Sequence, residues 1–184
     1  MIIEAIAKDS RNNNKEFNVL SIDYEKAFDS GEHWVLLKTL EFYKVPGKLI
    51  RVIHELLRNR IIELITPFGI SATTLKPTRA IALGDALSVE LFKIYVNPIL
   101  QILEQSGFGY RMETGQIIPH VGFADDLSPI SEDLDMTSAQ YEIIKQTAQV
   151  ERGLNVNAKK TKFASNRGNG KIVDIGDLKI ENCE

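Results

Sequence analysis

Residues 117–131 read Ile-Ile-Pro-His-Val-Gly-Phe-Ala-Asp-Asp-Leu-Ser-Pro-Ile-Ser, two apolar runs that meet at a pair of aspartates. Such runs joined at a polar pair predict a β-hairpin with Asp125 and Asp126 at its tip. Neighbouring strand residues point to opposite faces, but a tight turn would let both carboxylates reach one divalent cation or two adjacent ones. Mg²⁺ prefers oxygen ligands of this kind. Aspartate is also common in solvated turns, so the pair alone indicates only a turn.

Two earlier stretches give the hairpin a context. Residues 17–30 read Phe-Asn-Val-Leu-Ser-Ile-Asp-Tyr-Glu-Lys-Ala-Phe-Asp-Ser, a β-rich run ending at Asp23, and residues 79–88 read Arg-Ala-Ile-Ala-Leu-Gly-Asp-Ala-Leu-Ser. With the hairpin, these segments resemble the palm of a reverse transcriptase, and most of all the enzymes of non-LTR (LINE-type) retrotransposons. Residues 22–30 resemble the first catalytic motif of that family, and Phe123-Ala124-Asp125-Asp126 resembles its metal-binding hairpin. The order and spacing of the motifs also agree.

The resemblance implies a catalytic triad of Asp23, Asp125 and Asp126. By the same resemblance Asp23 and Asp125 bridge the metal ions, Asp126 completes the acidic cluster, and the backbone carbonyl of Tyr24 adds a ligand. The implied cofactor is Mg²⁺ or Mn²⁺. A polymerase joins a primer 3′-hydroxyl to an α-phosphate and expels pyrophosphate, and two metal ions about 3.5–4 Å apart suit that reaction.

The nucleotide-binding residues implied by the resemblance are Phe28, Leu83, Gly84 and Lys160. Phe28 matches an aromatic residue that packs under the incoming sugar and leaves no room for a 2′-hydroxyl, although a core position is the commoner fate of phenylalanine. Lys160 matches a lysine near the nucleotide phosphates, and a solvated lysine run is nearly as good an explanation. No nucleic-acid-binding residue is assigned.

Three positions depart from the pattern of the family. Leu83 stands where family members usually carry Gln, Ala80 where they carry Gly, and Val89 where they carry Pro. A leucine cannot make the polar contacts of a glutamine near nucleotide or template, so Leu83 is expected to weaken nucleotide binding.

Composition limits the other functional classes. With 184 residues, 43% of them hydrophobic and 26% charged, the chain fits one globular domain. One cysteine and three histidines make a zinc site untenable, and the single cysteine suits a reducing, intracellular compartment, the cytoplasm or the nucleus. The sequence contains no run of about 18 apolar residues, so it predicts no membrane span. The net charge of −3 argues against strong nucleic-acid binding by this domain alone.

Helical and strand patterns are interleaved along the chain, which predicts an α+β fold with an antiparallel sheet. Gly153 is the expected C-cap of the last helix, and residues 11–15 form a polar loop that ends the first helix. The helices are predicted near residues 2–7, 34–40, 48–59, 85–105 and 133–151, and the strands near 17–23, 61–66, 73–76, 108–112, 117–130, 171–175 and 178–181. By resemblance, residues 1–184 form a partial reverse transcriptase domain centred on the palm, with fingers and thumb incomplete.

The sequence therefore favours an RNA-directed DNA polymerase domain, either intact or degenerate, with an RNA template, a DNA primer and dNTPs as partners and no membrane. The other domains of a parent retroelement protein are absent from the sequence. The first alternative is an inactive retroelement remnant that keeps the fold as a module for binding nucleic acid or protein. The second is another carboxylate-metal enzyme such as a nucleotidyl cyclase, and the stretch from Arg79 to Ser88 argues against it.

Overall fold

The computed structural model describes residues 2–67, 69–81, 87–168 and 170–183; for Leu64, Ser71–Leu75 and Phe123 it describes the backbone only. The chain divides into two compact units, one made of Met1–Glu25 and Val96–Glu184 and the other of Lys26–Tyr95. The elements, in chain order, are α1 Ile2–Asn13, β1 Asn18–Ser21, α2 Ala27–Ser30, α3 His33–Phe42, α4 Gly47–Arg58, β2 Ile62–Thr66, β3 Gly69–Leu75, α5 Ser88–Gln105, β4 Tyr110–Arg111, β5 Ile117–Ile118, β6 His120–Phe123, β7 Asp126–Ser131, α6 Leu134–Gln146, β8 Lys162–Ser165, β9 Ile172–Ile175 and β10 Leu178–Cys183.

The first unit is built on a six-stranded sheet in the order β6-β7-β1-β8-β10-β9. Its strands pair antiparallel except for β8 with β10, which are parallel. The short strand β1 lies in the middle, between β7 and β8, so the motif that ends at Asp23 adjoins both the acidic hairpin and the segment before β8. This mostly antiparallel sheet with its helices confirms the α+β prediction.

The side chains of β1 alternate between the core and an open face. Asn18, Leu20 and Ile22 are buried, whereas Ser21 is exposed. A strand whose side chains alternate in this way buries one face and leaves the other open to solvent. Toward the start of β1, Val19 pairs with Ile130 of β7, which forms a cluster with residues of α1 and β4, namely Ile6 and Tyr110, so this second face is open only toward Ser21. The open face is the one on which Asp23 lies.

The second unit holds α2, α3, α4, the β2–β3 hairpin and the start of α5. Apolar residues of three helices form its core, and these are Val35, Leu36, Leu40, Ile53, Leu57, Phe92 and Tyr95. Gly31 lies against Ile81, where an added Cβ would come 2.9 Å from the isoleucine side chain. The predicted helix at residues 48–59 is confirmed as α4, and the predicted hairpin of residues 61–76 as β2 and β3.

Two predicted boundaries were wrong. The first helix continues through the expected polar loop to Asn13, because the side chains of Arg11 and Asn13 donate hydrogen bonds to the carbonyls of Ala7 and Asp9 within the same helix, at 3.1 and 3.0 Å. It ends at Asn14, whose φ of 50° is left-handed. The strand expected to start near residue 73 begins at Gly69.

The helix predicted to span residues 133–151 is two structures in succession. Asp133 caps α6 by accepting a hydrogen bond from the N–H of Met136 at 2.7 Å. After Gln146 the backbone widens into a π-helical segment, Thr147–Glu151. Gly153 follows with a φ of 64°, and the N–H of Leu154 donates to the carbonyl of Ala148, which confirms the predicted glycine cap.

Every helix in the described ranges is too short or too polar to cross a membrane.

Candidate active site

The acidic pair lies at the end of the hairpin formed by β6 and β7. Phe123 pairs with Asp126, which leaves Ala124 and Asp125 as a two-residue turn. Asp125 therefore lies in the turn, and Asp126 is the first residue of β7. Ala124 has a φ of 56°, a left-handed conformation that costs L-residues energy, and more so when they are branched at Cβ. The hairpin predicted from the sequence is confirmed, with one aspartate in its turn and the other beside it.

The pairing of β1 with β7 places Asp23 opposite Asp126. Val19 pairs with Ile130, and the same register continues to Ile22 and Leu127, where the N–H of Ile22 donates to the carbonyl of Leu127 at 2.8 Å. One residue further along this antiparallel register, Asp23 faces Asp126. Opposed residues of an antiparallel pair have Cβ atoms about 4.5–5.5 Å apart.

The two aspartates also share one face of the sheet. The hydroxyls of Ser21 and Ser128, an opposed pair, are 3.2 Å apart on the open face. Because strand side chains alternate, Asp23 lies on the face of Ser21, and Asp126 lies on the face of Ser128. The register thus brings Asp23 and Asp126 together, with Asp125 next to them in the turn.

A ready-made group of metal ligands is absent from the described part of the chain. No three His, Cys, Asp or Glu side chains there are placed to hold a metal ion together. Asp23 and Asp125 are partly buried, and Asp126 is exposed. The joint action of the three aspartates in catalysis therefore stays a prediction, while the structure shows their common position at the end of the β1–β7 pair.

One carboxylate oxygen of Asp23 is suited to bind a cation. Oδ1 is buried and has no hydrogen-bond partner. A buried carboxylate oxygen without a partner is costly, since it has lost its water and gained nothing in exchange. Mg²⁺ is usually bound by one or two carboxylates together with substrate phosphates, so the opposed pair of Asp23 and Asp126 matches the donor set for this ion.

The backbone of Tyr24 points its carbonyl toward the hairpin. The carbonyl of Asp23 accepts from the N–H of Asn157 at 2.7 Å, and the N–H of Glu25 donates to the carbonyl of Asn155 at 2.8 Å. Backbone groups alternate along a strand, so those of Tyr24 point the other way, toward the edge on which Ile22 pairs with β7. This direction is the one required of the predicted carbonyl ligand.

The side chain of Tyr24 belongs to the core. It is buried, and its hydroxyl has no hydrogen-bond partner. Burial raises the pKa of this phenol well above its usual value, because the charged form would lose its hydration. The phenol therefore stays protonated and serves packing, and any role of this residue at the metal falls to its carbonyl.

The predicted nucleotide-binding residues are placed in different parts of the chain. Lys160 is exposed in the turn of residues 157–161, where its N–H donates to the carbonyl of Asn157 at 3.1 Å. Phe28 belongs to the second unit and stacks on Phe92, with ring centroids 4.5 Å apart. Leu83 and Gly84 lie outside the described residues. Their roles toward a nucleotide stay predictions.

Sequence reasoning missed two residues of the site, Asn157 and Thr161. The Thr161 hydroxyl accepts from the N–H of Asp23 at 3.4 Å and donates to the carbonyl of Asn157 at 2.9 Å. A signal was present in the sequence, because a threonine four residues after an asparagine is able to bond back to its carbonyl. Its link to Asp23, far away in the sequence, depends on the pairing of β1 with the segment before β8.

The chain matches known proteins over most of its length. Residues 2–175 match the family described as reverse transcriptase (RNA-dependent DNA polymerase). The chain is 30% identical over 162 residues to the Retrovirus-related Pol polyprotein from type-1 retrotransposable element R2 of Nasonia vitripennis. This match covers 86% of the chain and 15% of the relative. A polyprotein with the same description from Popillia japonica is 24% identical over 173 residues, covering 94% of this chain and 24% of the relative.

Solved structures show the same fold. Telomerase from Candida albicans, in complex with a fragment of telomeric RNA, superposes with a TM-score of 0.71 at 14% identity, covering 98% of this chain and 32% of that one. Apo telomerase from Candida tropicalis gives a TM-score of 0.69 at 15% identity, covering 98% and 34%. The chain spans only 15% to 24% of the length of the R2 polyproteins it matches. These matches confirm the resemblance seen in the motifs, and the chain belongs to the reverse transcriptase (RNA-dependent DNA polymerase) family.

Proposed function

We propose that this chain is the RNA-directed DNA polymerase domain of a non-LTR retrotransposon protein, acting inside the cell on an RNA template, a DNA primer and dNTPs. The observation that carries the proposal is the register of β1 and β7, which sets Asp23 opposite Asp126 on one face, beside Asp125. The unpartnered Oδ1 of Asp23 adds a donor that a hard cation would satisfy. The R2 polyproteins matched by the chain support the assignment to a retrotransposon.

Asp23, Asp125 and Asp126 are proposed to hold Mg²⁺ or Mn²⁺, with the carbonyl of Tyr24 as a further ligand. When bound, two such ions would neutralise phosphate charge and favour attack by a primer 3′-hydroxyl. The chain's own part is to present these oxygens from two paired strands and a tight turn. Strand pairing fixes their spacing better than loops would, and preorganised geometry accounts for much of the rate in phosphoryl transfer.

Two residues are proposed to contact the nucleotide. Lys160 is exposed on the turn beside Asp23, where its ammonium is free to meet a phosphate, a group that lysine binds as a point charge. Phe28 is proposed to exclude a 2′-hydroxyl, and its stacking on Phe92 would hold the ring in a fixed orientation.

A second candidate is a catalytically inactive remnant that keeps the fold. Leu83 favours it, since leucine stands where family members usually carry glutamine and removes a polar contact to nucleotide or template. The net charge of −3 favours it too, because holding a primer–template requires a basic surface. Residues 1–184 alone are therefore expected to synthesise little or no DNA on a primed RNA template.

A chimaera distinguishes the two candidates. Residues 2–175 would replace the matching segment of the Nasonia vitripennis R2 polyprotein, and primer extension on an RNA template would be measured with Leu83 or with Leu83→Gln. We expect extension by the Leu83→Gln chimaera, weaker extension with Leu83, and none with Asp23→Asn added, since the aspartate is needed for the metal. Thermal unfolding of each chimaera shows that it is folded. A folded Leu83→Gln chimaera without activity would contradict the polymerase and favour the remnant.

A further inference from the structure

A polar turn holds the backbone of Asp23 on the side away from the hairpin. β1 pairs with β8 as far as Ser21 and Lys162, and the chain pairs again at Tyr24 and Val156. The turn of residues 157–161 fills the gap between these two pairings. Both backbone groups of Asp23 bond to this turn, and the aspartate is thereby fixed between the turn and β7.

Thr161 is the centre of the arrangement. Its side chain is buried, and its hydroxyl donates to the carbonyl of Asn157 at 2.9 Å. With the hydroxyl hydrogen committed there, an oxygen lone pair remains for the N–H of Asp23, 3.4 Å away. The N–H of Asn157 donates in turn to the carbonyl of Asp23 at 2.7 Å. Asp23, Thr161 and Asn157 thus form a closed ring of three hydrogen bonds.

We propose that Thr161 is a positioning residue that sets the metal-binding carboxylate of Asp23, an inference that rests on the proposed function. With both backbone groups held, Asp23 keeps little freedom beyond rotation of its side chain. A carboxylate so restricted loses less entropy when it binds an ion, and it stays in register with Asp126. Groups that orient a metal ligand typically change metal affinity by about 10–100-fold when they are removed.

Thr161 also closes its own turn, so the test must separate the two roles. Thr161→Val keeps the shape and removes the hydroxyl, and Thr161→Ser keeps the hydroxyl. Thr137→Val is the matched control, because Thr137 is a buried threonine of the same unit. Its hydroxyl bonds to the carbonyl of Asp133 at 2.8 Å and to the hydroxyl of Ser131 at 2.6 Å, at the end of β7 away from Asp126.

The measurement is Mn²⁺ binding to residues 1–184 by electron paramagnetic resonance, with thermal unfolding recorded for each variant. We expect Thr161→Val to weaken Mn²⁺ affinity about 10-fold, Thr161→Ser to restore it to near the wild-type value, and Thr137→Val to leave it unchanged. If Thr161→Val does not fold, Thr161→Ala, which also lacks the hydroxyl, is measured in its place with the same expectation.

Wild-type affinity in the folded Thr161→Val variant would overturn the positioning role and leave the proposed function standing. An equal loss of affinity in Thr161→Val and Thr137→Val would overturn it too, because the effect would then be general destabilisation. A wild-type chain that binds no Mn²⁺ at all would instead contradict the proposed function itself.

Discussion

At the scale of single residues, the conformation of Ala124 sets the shape of the acidic turn. Its φ of 56° falls in the left-handed region, where a Cβ approaches the backbone and costs about 1–2 kcal/mol. A residue branched at Cβ is more strained there than alanine. The sequence places an alanine between Phe123 and Asp125, which limits the strain compared with a branched residue.

Replacing Ala124 should therefore change stability according to side-chain shape. We expect Ala124→Val to lower the free energy of unfolding by about 1 kcal/mol, measured by urea denaturation, because the branched side chain adds strain to that already borne by alanine. Ala124→Gly should stay within about 1 kcal/mol of the wild type, since relief of strain offsets the larger entropy of the unfolded chain. Equal stability of the valine and glycine variants would mean that the turn does not hold Ala124 in the left-handed conformation.

The aspartates of the site could be found from the sequence, whereas their supports could not. Asp23, Asp125 and Asp126 each end or interrupt an apolar run, and this pattern is visible without a structure. The bond from Asp23 to Thr161 depends on which strands pair and in which register, and neither is encoded locally. Leu83 was found only as a departure from a family pattern.

At the scale of elements, a partly buried histidine, His120 of β6, lies next to Glu104 of α5. Both ring nitrogens of His120 are buried, and Nε2 is 3.7 Å from the carboxylate of Glu104 on α5. Burial lowers the pKa of His120 below its usual value, and the nearby Glu104 and the backbone of Leu100 only partly oppose this effect. The folded state therefore favours the neutral imidazole.

This shift predicts a loss of stability in mild acid. The unfolded chain takes up the proton at a pKa of about 6.5 and the folded chain only at lower pH, so the unfolded state binds more protons in between. Stability should be fully present above pH ~6.5 and should fall as the pH drops toward the folded pKa, by at most about 1.4 kcal/mol per pH unit.

Unfolding by urea at pH 7.5 and pH 5.5 measures this effect. We expect His120→Phe, which fills a similar space without a titrating group, to reduce the difference between the two pH values. His54→Gln is the control, since His54 is exposed on α4, and it should keep the wild-type difference. An unchanged difference in His120→Phe would show that other groups cause the acid sensitivity.

Elements with a strong local pattern were predicted well. Helix α4 has a regular apolar stripe, and the predicted range of residues 48–59 is close to the observed Gly47–Arg58. The extension of α1 to Asn13 and the π-helical segment of Thr147–Glu151 were not predicted. Side-chain bonds to the helix backbone extend the first, and the second shows no periodicity that differs from an ordinary helix.

At the scale of the whole molecule, the match to the family includes the two strands that carry the central aspartates. The match to the family covers residues 2–175, and the sheet order sets β1, which leads to Asp23, next to β7, which starts at Asp126. The R2 polyproteins are several times longer than this chain, which spans 15% of one and 24% of another. Polymerase activity is for that reason a proposal, tested in a longer protein, whereas binding of a divalent ion can be tested in this chain directly.

Anomalous diffraction from a crystal of residues 1–184 soaked in Mn²⁺ tests the proposed site most directly. Asp23 and Asp126 are opposed on one open face, and Oδ1 of Asp23 lacks a partner. We therefore predict an anomalous peak within bonding distance of the carboxylate of Asp23 and of at least one of Asp125 and Asp126. The peak should disappear in crystals of Asp23→Asn. No peak at these aspartates in the wild type, with Mn²⁺ bound elsewhere on the chain under the same soak, would contradict the account.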